Sequence, residues 1–176
     1  MLLYLFALEQ EGMKLLGEHP VPAGVQYFPA RVPILSCDGE LTDEEVEKER
    51  RASWKRKGLL LSDEAVLHAM EHSDPPQRLS CKWKKDGTLV GDIADQDQLK
   101  MLNQYIFRLL GKMVDEIASG NVEPNPYTRG SSHNACRFCD YATICHAATV
   151  EGRRNYKAMS AQRFWEEIAK EMSKLG

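Results

Sequence analysis

Apolar residues occupy nearly every face of the first two turns: Leu2, Leu3, Tyr4, Leu5, Phe6, Ala7 and Leu8 run unbroken before Glu9 and Glu11 interrupt them. The pattern predicts a helix over residues 1 to 16 that is buried on several sides. No Ser, Thr, Asp or Asn precedes it to cap its first turn, so it reads as a helix cut from something larger, with its packing partner upstream. Residues 23 to 33 then alternate around Val25, Tyr27 and Phe28 and predict a strand, which Pro29 and Pro33 place at an edge or a bulge.

Further on, Thr42 followed by Glu45 is a capping-box pattern. It opens a segment acidic in its first half (Asp43, Glu44, Glu45, Glu47) and basic in its second (Arg50, Arg51, Lys55, Arg56, Lys57), which ends at Gly58. That polarity complements a helix dipole, and the segment reads as a solvated helix rather than a DNA contact. Ser62 is placed to cap a short helix carrying Ala65, Val66, Ala69 and Met70. Residues 80 to 90 predict a hairpin turning at Asp86-Gly87. From Gln96 to Ser119, Leu99, Leu102, Ile106, Leu109, Leu110, Met113 and Ile117 keep three-four spacing over six turns. Gly120-Asn121 stops that helix. A loop with Pro124, Pro126, Gly130, Ser131 and Ser132 follows, and Ser160 starts a last helix whose apolar side is Phe164, Trp165, Ile168 and Met172.

At 176 residues, with 43% hydrophobic and 28% charged positions, the chain has the material for a real core, which argues against disorder. Its formal net charge of -3 supplies no global attraction to nucleic acid, so any DNA contact has to be local. The apolar start lacks a basic flank and a cleavage site and is too short to span a bilayer. Neither a signal peptide nor a membrane span is expected, and the expected compartment is the cytoplasm.

Three of the five cysteines crowd together as Cys136, Cys139 and Cys145. An odd count with this clustering points to metal ligation rather than a disulfide framework. The Cys-x2-Cys knuckle lets two thiolates share a metal centre, and a third arrives from the next helical turn. Thiolates suit zinc and iron-sulfur clusters alike, and either normally takes four ligands. His133, His146, Cys37 and Cys81 are all open as the fourth. His19, His68 and His72 sit on helices or turns without a second ligand at suitable spacing and read as surface or capping residues. In Lys82-Trp83-Lys84-Lys85, an aromatic interleaved with charge can serve nucleic acid, but a hairpin arm with one packed Trp is the commoner arrangement.

The order of these features resembles the AddB-type subunits of bacterial ATP-dependent helicase-nucleases. The resemblance rests on Leu3-Tyr4-Leu5, on Pro22-Ala23-Gly24-Val25-Gln26-Tyr27-Phe28-Pro29-Ala30-Arg31, and on Lys57-Gly58-Leu59-Leu60-Leu61. It continues through the long helix, Asn125-Pro126-Tyr127 and Cys136-x2-Cys139-Asp140-Tyr141-x3-Cys145, and so covers essentially the whole chain. It implies an α/β fold, mostly helical over this stretch: the C-terminal part of a RecB-like PD-(D/E)XK, restriction-endonuclease-like nuclease domain with a cysteine-rich iron-sulfur subdomain. Residues 1–35 would supply the last helix and strand of the nuclease core, 36–122 a helical insertion with the hairpin and long helix, and 123–176 the cysteine cluster and final helix.

In such a nuclease acidic residues and a lysine hold Mg2+ and activate water for phosphodiester cleavage. The family pattern has a Gln four residues before a Tyr on the helix after that lysine. Tyr4 matches the Tyr, which puts the Gln, carboxylates and lysine ahead of Met1. Tyr4 is thus expected beside the nuclease centre as a supporting or DNA-contacting residue, and the chain alone is expected to be inactive. The family's cysteines hold a structural 4Fe-4S cluster, three from a C-terminal group and one far upstream. Cys136, Cys139 and Cys145 match the three; with the fourth outside this stretch, the cluster is expected in the parent protein and to be absent or replaced by zinc here. DNA and an AddA-type helicase subunit are the implied partners. Self-association through Leu2, Leu5, Phe6 and Leu8 of the first helix is also expected. A Cas4-like iron-sulfur exonuclease and a non-enzymatic zinc or iron-sulfur module are the alternatives. The first would have a shorter connection from the strand to Cys136, and the second a self-contained fourth ligand.

Overall fold

The computed structural model describes residues 1–31, 34, 39–73, 75–130, 132–145 and 154–174. The chain forms two compact units, Met1–Asn103 and Gln104–Gly176, divided within the long helix.

The first unit opens with α1 (Leu2–Leu16), which starts at Met1 without a side-chain cap and ends where the Gly17 N–H meets the Met13 carbonyl. Of its apolar run Phe6 is fully buried, whereas Leu3, Tyr4 and Leu8 are 44%, 72% and 53% exposed. The expected burial on several sides is therefore found on one.

Strands β1 (Gly24–Tyr27) and β2 (Lys57–Leu61) pair antiparallel, and a short strand, Ile93–Ala94, pairs parallel on the other side of β2. β1 is shorter than expected and stops at Tyr27. Phe28 lies beyond it with the Arg56 guanidinium 4.2 Å above its ring. Val32 and Pro33 of the expected strand lie outside the described residues. In the β1–β2 register Gly24 faces Leu60 and Gly58 faces Gln26. Gly24 (φ +127) and Gly58 (φ +152) hold backbone conformations that disfavour a side chain, and a Cβ would strike the Leu59 carbonyl at the first and the Val25 carbonyl at the second. The two strands lie against each other because both of these residues are glycine.

Helix α2 (Asp43–Ser53) carries the capping box: Glu45 N–H donates to Thr42 Oγ1 at 3.3 Å and Thr42 N–H to Glu45 Oε2 at 3.0 Å. None of its residues is buried, in keeping with a solvated helix. The basic half does not run to Gly58 as helix; α2 stops at Ser53 and Lys57 opens β2. Helix α3 (Glu64–Met70) is capped by Asp63, whose carboxylate accepts from Val66 N–H, rather than by Ser62. Ser62 is still tied into the sheet through its N–H to the Ala94 carbonyl at 2.8 Å, so the cap falls one residue later.

After α3 the Glu71 carboxylate gathers the turn, accepting from Ser73 Oγ and from the backbone N–H groups of Gln77, Arg78 and Leu79 at 2.7–3.2 Å. The turn feeds a hairpin of β3 (Cys81–Trp83) and β4 (Leu89–Gly91), reversed at Asp86-Gly87, where Asp86 Oδ1 accepts from Thr88 N–H; the strand Ile93–Ala94 is then β5. Leu60, Leu67, Leu79 and Cys81 form the buried core, with Met70, Trp83, Leu89 and Ile93 around it. Trp83 stacks on His68 at 5.4 Å. It is a packing residue, and His68 is its partner rather than a bare surface histidine.

Helix α4 (Gln96–Ala118) starts from a reciprocal cap, Gln98 N–H to Asp95 Oδ1 and Asp95 N–H to Gln98 Oε1. Leu99 and Leu102 are buried, but Leu109, Met113 and Ile117 of the same apolar face are 38%, 46% and 77% exposed. The second unit then carries β6 (Tyr127–Thr128), α5 (Ala142–Cys145), β7 (Arg154–Asn155) parallel to β6, and α6 (Ala161–Ser173). Ser160 caps α6 as expected; Ile168 is buried, Trp165 and Met172 are half-buried, and Phe164 is exposed. Among the described residues no helix is long and apolar enough to cross a membrane.

Candidate metal centre

The segment that presents the cysteines is shaped by backbone turns. Thr128 and Asn134 form an isolated bridge across the loop, Arg129 N–H donates to the His133 carbonyl at 2.6 Å, and Ala135 N–H to the Tyr127 carbonyl at 3.2 Å. Asn134 Oδ1 accepts from Cys136 N–H at 3.0 Å, an Asx turn that starts the knuckle. The knuckle itself closes through Cys139 N–H to the Cys136 carbonyl at 3.3 Å, and Cys145 is brought in by its N–H to the Tyr141 carbonyl at 2.8 Å. Local hydrogen bonding thus orders the motif without help from a core.

The three thiols are free, Cys136 half-buried and Cys139 and Cys145 exposed. Their chemistry suits a soft metal or an iron-sulfur cluster. Their placement does not close such a site: among the described residues no group of three His, Cys, Asp or Glu side chains could hold a metal ion. The donor set fits in kind but is not gathered in space.

Of the residues considered as a fourth ligand, Cys81 is 2% exposed in the β3 core. Burial, with the Glu71 carboxylate adding to it, pushes its thiol pKa up, so it behaves as a core side chain. His133 is exposed and shares Nδ1 with Ser132 Oγ at 2.9 Å. Cys37 and His146 lie outside the described residues. Tyr4 stands on the first turn of α1, 72% exposed, with its N–H on the Met1 carbonyl. His19 and His72 are exposed. Reading the sequence missed the arginines and tyrosines around the cysteine loop, because Tyr127 and Tyr156 are separated by the whole motif and meet only through the β6–β7 pair.

Comparison with known proteins supports the resemblance to AddB-type subunits. The chain is 33% identical to the B-type subunit of the ATP-dependent helicase/deoxyribonuclease of Oceanobacillus iheyensis, over 89% of this chain and 14% of that protein. It is 32% identical to the corresponding protein of Symbiobacterium thermophilum over 96% of this chain and 15% of that protein. It is 33% identical to that of Clostridium acetobutylicum over 100% of this chain and 16% of that protein. The chain therefore spans 14% to 16% of the length of these relatives. Residues 1–146 match the PD-(D/E)XK nuclease superfamily, in keeping with the mixed helix and strand content found here. The chain belongs to that superfamily.

Proposed function

We propose that this chain is part of the nuclease domain of an AddB-type subunit, which digests DNA in the cytoplasm alongside an AddA-type helicase during double-strand-break repair and recombination. The observation that carries this reading is the similarity of nearly the whole chain to proteins named as B-type subunits of a helicase/deoxyribonuclease. It favours this reading over a Cas4-like exonuclease or a free-standing metal module.

Nucleases of this superfamily generally use a divalent metal, and Mg2+ would supply charge stabilisation and an activated water. The carboxylates and lysine that hold it belong to the rest of the subunit in this reading, which rests on the match of Tyr4 to the family's Tyr. Residues 1–35 would complete the nuclease core with Tyr4 near its centre, 36–122 would form the insertion, and 123–176 the cysteine-bearing end. Cys136, Cys139 and Cys145 would be three thiolate ligands of a structural 4Fe-4S cluster, completed by a thiolate from elsewhere in the protein. The matching order of the motif and the accessibility of Cys139 and Cys145 support this ligand set; the ungathered thiols mean that no step is assigned to the cluster.

The test is a chimera in which this chain replaces the matching segment of the Oceanobacillus iheyensis relative. ATP- and Mg2+-dependent digestion of linear duplex DNA should survive the exchange, and the iron-sulfur absorption band should vanish in a Cys136→Ser, Cys139→Ser double variant. A chimera that keeps its helicase partner but digests no DNA would overturn the reading. So would robust Mg2+-dependent digestion by this chain alone.

A further inference from the structure

The parallel pairing of β6 with β7 sets Tyr127 beside Arg154 and brings Tyr156 edge-on to Tyr127, with ring centres 6.2 Å apart. The loop that returns through His133 and Asn134 carries Arg137 and Phe138 to the same place. Together with Arg129 they line an open pocket of about 800 Å³ within the second unit. We propose that this pocket binds an unpaired nucleic-acid strand, with its arginines on phosphates and its aromatic rings against bases.

Charge is the first reason. Among the described residues three arginines line the pocket and no carboxylate does. The ion pairs among the described residues involve none of them. In a chain of net charge -3 this is a local concentration of positive charge that no carboxylate among the described residues pairs with. The guanidinium groups are also held without being used up. Arg137 spends one N–H on the Ser132 carbonyl at 3.0 Å and lies 5.0 Å from the Phe138 ring centre. Arg154 spends its Nε–H on the Asn125 carbonyl at 3.0 Å. Each keeps further donors for an anionic oxygen.

Ring exposure is the second. Tyr127, Tyr156 and Phe138 are 47%, 53% and 86% exposed, although the pocket that they line is concave. Aromatic faces beside arginines with donors to spare are the arrangement that holds a single strand, because every unstacked base offers a face and every linkage a phosphate. A duplex keeps its bases stacked and would leave the rings unused. An acidic peptide would engage the arginines alone. The proposal does not depend on the nuclease reading, since the pocket is assigned binding rather than cleavage.

The test is fluorescence anisotropy of labelled oligothymidylate, oligouridylate and a hairpin duplex with the whole chain, in EDTA so that cleavage cannot intervene. Oligothymidylate should bind more tightly than duplex, with a log-log salt slope of about -2, from three phosphates at about 0.7 each. Arg129→Gln should flatten that slope by about 0.7. Tyr156→Leu should weaken binding about tenfold and leave the slope unchanged. Comparable binding of oligouridylate supports a pocket that reads phosphate and base alone, and a preference for either strand supports the proposal and names its source. Duplex binding as tight as single-strand binding, displacement by polyglutamate as effective as by oligothymidylate, or wild-type affinity in both variants at unchanged thermal midpoints would each overturn it, as would absence of binding. Failure of the chimera leaves this result untouched, and failure here leaves the chimera untouched.

Discussion

Around Leu60 and around Cys136 the chain treats its apolar side chains in opposite ways. Leu60, Leu67, Leu79 and Cys81 are at most 2% exposed and enclose one another, while Phe138, Tyr141 and Ile144 are 86%, 71% and 77% exposed. The first region is held by burial, by two strand pairings and by the Glu71 carboxylate. The second is held by turns and short backbone contacts. A segment ordered by local hydrogen bonds with few buried apolar contacts opens locally at low cost. The contrast separates a part of the chain held by a buried core from a part held by local hydrogen bonds.

The largest effect that would sharpen this contrast is Leu67→Ala. Emptying a site 1% exposed should cost about 3 kcal/mol, read as a fall in the urea midpoint. Gly58→Ala follows at about 2 kcal/mol, because the new Cβ meets the Val25 carbonyl at a positive φ; a wild-type thermal midpoint would show that the strands can move apart.

Glu71→Gln keeps the shape and removes the charge, for about 1 kcal/mol after allowance for solvent. Burial raises the Glu71 pKa, but the hydrogen bonds from Ser73, Gln77, Arg78 and Leu79 outweigh it and hold the carboxyl below its usual 4.5. The folded value is the lower one, so the stabilisation is complete above the unfolded value and is lost as pH falls through the folded one. Wild type and variant should therefore differ at neutral pH and converge below pH 4.5. A gap that widens in acid would contradict the assignment.

The smallest effect belongs to the second region: Ile144→Ala should change stability by less than about 0.5 kcal/mol, since the side chain is 77% exposed. A loss as large as that of Leu67→Ala would erase the distinction between the two regions.

Much of the molecule was legible without coordinates where the relevant contacts are local. The capping box at Thr42 and Glu45, the Asp86-Gly87 turn and the Ser160 cap all lie within four residues, and each forms as its spacing predicts. β2 and β5 were not legible as strands. Leu59-Leu60-Leu61 has no alternation because both of its faces are covered, and its partners lie more than thirty residues away in both directions. The choice of Asp63 over Ser62 as a cap was hidden for the same reason, since it depends on a sheet bond to Ala94. Along α4 the three-four spacing of apolar residues identified the helix but not its cover, and the face is buried at Leu99 and exposed at Ile117.

What the sequence determined by itself is the longer helices, the caps at Thr42 and Ser160, the hairpin and the cysteine motif with the family order around it, because periodicity and short-range hydrogen bonds need only neighbours along the chain. Tertiary structure decided which thiol is core and which is accessible, that the three motif cysteines are not gathered among the described residues, and that Tyr127, Arg154 and Tyr156 share one pocket. Those outcomes depend on pairings between distant segments, whose free energy appears only once the intervening chain has been folded back.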